Sequence, residues 1–364
     1  MVLSRALGLL KFELLLSGVQ ISTEDLVKLE QEGYRVPSIV RTGASYGIEA
    51  IIEDVLCVNI PLSTSSSVHI SPDFKSLTRE GKHLCEIDIL KNPISLSLKT
   101  DDVKIQDAAR ICFDRLGITL YAGCRFKEEH KGCKFCGIDA GSRFGNKRIL
   151  TPTEACRLVD EALIVPDHGI RHILLSGGVL PGNDYGAKVF AETASVLKSI
   201  HPALPIYIMM PPPKGNDVLQ HLIDSGIDEI ALNIEIMDND VRKRTIPGKD
   251  AIGLARYFNA LEYLAEHLPR FGARSLLMGG VESISSTLHG VEELCTRGIM
   301  PIISYYRPIG PAIPSFLQSA EDIFSLWESA AEISDKHNMV IGPTCIPCQN
   351  NVIALPVGNA FIYY

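Results

Sequence analysis

From Gly117 onward the chain repeats one unit: a short apolar run of strand type, a turn containing Gly or Pro, and a longer stretch of helical period. The runs are GITLYAG (117–123), HILLSGG (172–178), PIYIMMP (205–211), EIALNIE (229–235), RSLLMGG (274–280) and PIISYYRP (301–308). Between them lie helix candidates such as TPTEACRLVDEALIV, AKVFAETASVLKSI, GNDVLQHLIDSG and IGLARYFNALEYLAEHL. Strands that are apolar almost throughout must be covered on both faces, and alternation with helices is how a parallel sheet achieves that. Six such units in series predict an α/β fold, a partial (β/α)6 TIM-type barrel, with its chemistry at the C-terminal ends of the strands.

The rest of the chain lacks this rhythm. The segment STEDLVKLEQEGY reads as a helix with Ser22 or Thr23 as cap and Glu24 in the first turn, and residues 55–98 mix short strands with polar turns. We therefore expect an N-terminal α+β prelude over 1–112, the barrel over 113–315, and a C-terminal extension over 316–364 that caps the barrel and carries a CIPC loop. The apolar N-terminus, MVLSRALGLLKFELLLSG, is broken by Lys11 and Glu13 and is too short to span a bilayer, so it predicts an amphipathic first helix and no membrane partner. A formal net charge of -8 works against a phosphate-binding surface, and no nucleic-acid partner is expected. The ten cysteines are scattered and do not form a dense disulfide framework, which fits a reducing, cytoplasmic setting where clustered thiols bind metal or do redox work.

Three of those cysteines fall in YAGCRFKEEHKGCKFCGIDAG (121–141), directly after the first predicted barrel strand: Cys124, Cys133 and Cys136, spaced C-x8-C-x2-C. Structural zinc and simple electron-transfer clusters use four thiolates to close their coordination shell. With three, either a fourth ligand lies far away or one coordination position stays open. The CIPC pair, Cys345 and Cys348, offers one completion, a four-thiolate zinc site with Cys133 and Cys136, which leaves Cys124 idle. His130, among the charges of KEEHKG, reads as a solvated loop residue.

The loop's ending, C-x-aromatic-C with Phe135 in the aromatic slot, resembles the radical S-adenosylmethionine (SAM) superfamily, whose usual spacing is C-x3-C-x-aromatic-C. The resemblance covers roughly 115–315 and includes biotin- and lipoyl-synthase-like features. It implies that Cys124, Cys133 and Cys136 hold a 4Fe-4S cluster whose open iron chelates SAM, and that one electron cleaves SAM to methionine and a 5'-deoxyadenosyl radical. That radical would abstract hydrogen from an unidentified small-molecule substrate, with a ferredoxin or flavodoxin as electron donor.

LLSGGV stands where the family has a GGE motif, so the resemblance assigns the SAM amino group to backbone at Ser176, Gly177 and Gly178, with Val179 replacing the family's Glu. LNIEIMDNDVRKRTIPGK resembles the ribose-binding segment: Glu235 accepts from ribose hydroxyls, Asn233 stands beside it, and Arg242 or Arg244 pairs with the SAM carboxylate. LLMGGVESISSTLHGV resembles the fifth-strand segment, with Glu282 either a SAM contact or an early-turn helix acid, and YYRPIGP resembles the sixth-strand end. Cys345 and Cys348 are candidates for an auxiliary iron-sulfur cluster, for a substrate-facing thiol, or for no special role. Two other classes stand beside this one: a zinc-binding barrel hydrolase or lyase, and a non-catalytic barrel scaffold.

Overall fold

The computed structural model describes residues 3–34, 47–90, 95–99, 104–138, 148–307, 313, 315–358 and 360–361. The chain divides into two units, the first of residues 1–93, 278–288 and 302–364, the second of residues 94–277 and 289–301.

The first unit opens with helix Arg5–Ser17, whose N-cap Ser4 accepts from Leu7 N and whose Phe12, Leu14 and Leu15 are buried. A second helix, Thr23–Gln31, is capped by Ser22 rather than Thr23. Five strands follow, β1 (Ile48–Ile52), β2 (Leu56–Ile60), β3 (Val68–Ile70), β4 (Ser76–Arg79) and β5 (Lys82–Ile89), in an antiparallel sheet of order β2-β1-β5-β4-β3. β5 alternates buried and exposed positions toward its C-terminal end, the mark of a sheet with one covered face, whereas every residue of β2 is buried. Helix Ala320–Lys336, started by a capping box of Ser319 and Asp322, and a 3-10 turn at Pro347–Gln349 belong to the same unit. Phe12 meets Phe324 edge-on at 6.1 Å, joining the first helix to this late one.

The second unit is built on the sheet containing β6 (Ser95–Lys99), β7 (Lys104–Cys112), β8 (Arg115–Tyr121), β9 (His172–Gly177), β10 (Ile206–Met209), β11 (Glu229–Ala231), β12 (Ala273–Gly279) and β13 (Met300–Tyr305). Its order is β13-β12-β11-β10-β9-β8-β7-β6, and the division between units runs through β12 and β13. β6, β7 and β8 pair antiparallel, while β8 through β12 pair parallel in succession. All six runs expected to be barrel strands are strands, and the protein is an α/β fold with a partial barrel. β6 and β7, upstream of residue 113, run in this same sheet.

The helices sit where the period placed them, at Pro152–Leu163, Ala187–Ile200, Asn216–Asp224 and Leu254–His267. The first begins at a complete capping box, Thr151 with Glu154, and has Pro at its first position. One expected strand is shorter than its apolar run. Regular pairing of β11 stops at Ala231, and beyond it the chain keeps to β12 through irregular hydrogen bonds and an isolated bridge, Glu235 to Leu277. Glu235 there has φ 67°, a left-handed conformation that a non-glycine residue adopts at a cost and that turns its side chain out of the strand's alternation. No helix among the described residues is long and apolar enough to cross a membrane.

Candidate functional site

The cysteine loop starts where β8 ends. Cys124 is the N-cap of a single helical turn, Arg125–Glu128, and is buried, while the charged insert after it ends at His130, exposed and at φ 57°. The insert is a compact turn rather than an open excursion. Lys131 N donates to Phe126 O at 2.6 Å, and the Lys127 ammonium reaches forward to Cys136 O at 2.7 Å, bringing the second half of the loop back beside the first. Cys136 N in turn donates to Cys133 O at 3.2 Å. Cys133 and Cys136 are half-buried, and Cys124 is an electrostatic neighbour of both. Across the eight-residue gap, then, the three thiols remain electrostatic neighbours on one loop.

Glycines hold the loop down. Gly178, one residue past β9, donates its N–H to Tyr121 O at 2.9 Å. A Cβ on Gly178 would collide with Gly123 O and stand 2.8 Å from Cys124 Cβ. A Cβ on Gly177 would lie 2.6 Å from Tyr121 O. Both positions are glycine because the end of β8 crosses directly over them, a requirement of the protein itself that precedes any ligand. Ser176 is part-buried and pairs in register with Thr119. Val179, where the family has a carboxylate, packs with Cys124 and Phe126 in an apolar cluster that Ile138, Tyr185 and Ile252 extend, and its carbonyl accepts from Arg125 N at 2.8 Å. Phe135 is half-buried.

A second clamp comes from the segment after β11. Gly248 lies flat against the loop: its N–H donates to Lys131 O at 3.0 Å, and a Cβ there would meet the Phe126 ring at 2.5 Å. Lys134 N donates to Thr245 O at 2.9 Å. The PGK turn thus docks onto the cysteine loop and delivers Lys249, whose ammonium binds Glu235 Oε1 at 2.8 Å and Asn233 O at 3.1 Å. Asn233 is fixed as well, its Oδ1 accepting from Leu276 N at 3.1 Å.

The electrostatics follow from this packing. Burial raises the Cys133 thiol far above its ordinary value, the Glu235 charge adds to the rise, and Lys249 opposes it. Burial likewise raises Cys136, with Lys127 acting against it. Burial works against the charge of Lys249, but Glu235, Tyr257 and Cys133 more than offset it, so this ammonium is held above the usual lysine range. Among the described residues, two polar atoms in this cluster lack a hydrogen-bond partner: Glu235 Oε2 and Tyr257 Oη. Buried polar atoms are nearly always paired, so an unpaired acceptor and an unpaired hydroxyl among electrostatic neighbours of Cys133 are an exception that calls for an explanation. Three soft thiols with unpaired polar groups nearby fit an iron-sulfur cluster and a polar cofactor.

The arginines separate. Arg242 is buried, donating to Asp250 Oδ1 at 2.9 Å, Met237 O at 2.9 Å and Asn239 Oδ1 at 3.0 Å, so its fork holds the helix Asn239–Thr245 to its surroundings. Arg244, two positions on and rotated about 200° around the helix, is exposed. Glu282 is buried two residues before helix Ile284–Thr296, in the first unit. Lys249 and Tyr257 carry no motif spacing and were not singled out by sequence reasoning. The PGK turn was part of the quoted motif, and its glycine was the only signal of a close approach.

Residues 118–286 match the family described as the radical SAM superfamily. The chain is 25% identical over 209 residues to lipoyl synthase of Halobacterium salinarum, covering 56% of this chain and 63% of that one. It is 24% identical over 243 residues to bacteriochlorophyllide c C-7(1)-hydroxylase of Chlorobaculum limnaeum, covering 61% and 59%. The chain thus spans somewhat under two thirds of the length of these relatives. Among solved structures, the FeFe-hydrogenase maturase HydG from Carboxydothermus hydrogenoformans superposes with a TM-score of 0.47 at 17% identity, covering 63% of this chain and 54% of that one.

Proposed function

We propose that this chain, which the radical SAM superfamily matches over residues 118–286, is a radical SAM protein in which Cys124, Cys133 and Cys136 hold a 4Fe-4S cluster and the strand ends around them bind S-adenosylmethionine. When bound, the pair supplies reductive cleavage of SAM and a 5'-deoxyadenosyl radical for hydrogen abstraction from a small molecule, with electrons from a ferredoxin- or flavodoxin-type donor. The observation that supports this reading is that three cysteines on the loop after β8 are electrostatic neighbours, with Glu235 Oε2 and Tyr257 Oη, unpaired among the described residues, in the electrostatic surroundings of Cys133.

The chain's own residues have defined tasks in this account. Gly177 and Gly178 let the cysteine loop seat on β9, and Val179 keeps water from its underside. Lys249 holds one Glu235 oxygen, leaving the other for the ribose hydroxyls, and Asn233 fixes the backbone on which that lysine rests. Arg242 positions its helix, and Arg244, next to the Thr245 carbonyl that receives Lys134, is the arginine available for the SAM carboxylate. Phe135 sets the approach between Cys133 and Cys136.

Protein purified without oxygen should be brown, with about four irons for the triad. It should form 5'-deoxyadenosine when given SAM and dithionite, and Cys133→Ala should abolish that product. A colourless protein with stoichiometric zinc and no iron sinks the reading. Iron-loaded, folded protein that makes no 5'-deoxyadenosine points to the scaffold class instead. In the first unit, Cys348 N donates to Cys345 O at 3.1 Å, so the two cysteines share one turn of chain. If that pair serves a second cluster, the count becomes about eight irons per chain.

A further inference from the structure

Arg307 lies just past β13, in the first unit. Its guanidinium donates to Asn59 Oδ1 at 2.8 Å and to Asn59 O at 2.6 Å. Those bonds use two of its five N–H groups, and no carboxylate among the described residues pairs with it. Its electrostatic neighbour is the hydroxyl of Tyr305, and burial alone pulls the arginine down to about 10. A guanidinium packed away from water is ordinarily paired with an acid, because its charge costs too much otherwise. Glu49 stands opposite Asn59 in the β1–β2 register, and no ion pair between it and Arg307 is found among the described residues.

Asn59 supplies the second half of the argument. It is 0% exposed, and its backbone N–H is held by Asn350 O at 2.7 Å. Arginine can only donate, so the bond to Asn59 Oδ1 settles which way the amide faces and leaves Nδ2 as its donor. Among the described residues, Nδ2 has no hydrogen-bond partner. Among the described residues, a buried amide donor lacking an acceptor and a part-buried cation lacking an anion therefore occur side by side. One group satisfies both: a planar or tetrahedral oxyanion accepts from the amide and from the guanidinium fork together.

We propose that Arg307 and Asn59 form a binding site for one oxyanion group, the carboxylate or phosphate of a small-molecule ligand. The site rests on the first unit alone and is independent of the cysteine triad. The test uses the full chain, purified without oxygen. Its thermal midpoint is followed against inorganic phosphate and, separately, acetate, each exchanged for chloride at constant ionic strength. One of the two should raise the midpoint saturably, since a ligand that binds only the folded state stabilises it. Which anion does so distinguishes phosphate from carboxylate recognition. Arg307→Met should abolish the rise. Arg307→Lys keeps the charge and loses the fork, and should shift the saturation by about 10-fold, which keeps the proposal testable should the methionine variant not fold. A midpoint that responds to neither anion beyond chloride, or a response unchanged in these variants, overturns it.

Discussion

Lys249 and Arg307 are both cations taken out of water, and the protein treats them in opposite ways. Lys249 has a carboxylate at 2.8 Å and a carbonyl at 3.1 Å, and its charge is reinforced. Arg307 hydrogen-bonds, among the described residues, to an asparagine alone, and burial undermines its charge. Lys11 in the first unit resembles Arg307: it is 0% exposed, donates to Ala354 O at 2.7 Å and is pulled down to about 7 by burial. The difference teaches which charges belong to the resting architecture. A paired buried charge is part of what holds the cysteine loop in place, while an unpaired one is a cost the fold carries for some other reason.

Removing Lys249 should therefore have the largest effect. Lys249→Met leaves Glu235 buried among the thiols without a cation, and should cost about 3–5 kcal/mol in denaturant unfolding. Much of that loss should return in the double variant with Glu235→Gln. If Lys249→Met is neutral, the pair is not structural and the contrast with Arg307 collapses.

Lys11 should behave in the opposite sense. Its folded value lies below its unfolded one, so between about 7 and 10.5 the unfolded chain holds a proton that the native chain does not. Stability should rise with pH across that window, with the full penalty present below about 7. Lys11→Met should stabilise by about 1–4 kcal/mol at pH 6 and remove this component of the rise. A variant that is less stable at pH 6 would break the comparison.

Gly178→Ala probes the clamp rather than the charge. The added methyl collides with Gly123 O, so we expect a loss of about 1–3 kcal/mol and iron content well below that of the parent protein. The smallest effect is expected at Arg307. Without ligand, Arg307→Met relieves an uncompensated charge while stranding two Asn59 acceptors, and the net change in unfolding free energy should stay within about 1 kcal/mol.

Much of this architecture was legible before any coordinates. Period and turn chemistry located six barrel strands and the helices between them, because a parallel sheet writes its burial into continuous apolar runs. The cysteine spacing and the paired glycines were readable as well, although the glycines turn out to seat the loop itself. What lay beyond reach depended on tertiary approach. Nothing local marks Lys249 as the partner of a glutamate 14 residues earlier, since that pairing exists only because Glu235 takes a left-handed turn and Gly248 docks on Phe126. That Arg242 is tied to its surroundings while Arg244 is exposed was likewise set by helix rotation and by Asp250, which the quoted motif did not reach. Arg307 and Asn59 are separated by 248 residues, a distance that no spacing rule spans.

Cys124 is the residue on which the central claim turns, because a zinc site built from two CxxC pairs has no use for it. The most direct measurement is 5'-deoxyadenosine formation by Cys124→Ala, purified without oxygen and compared with the parent protein for iron and zinc. The account predicts that the product disappears and that about four irons are lost per chain, with the fold retained. Unchanged iron and unchanged 5'-deoxyadenosine would contradict it.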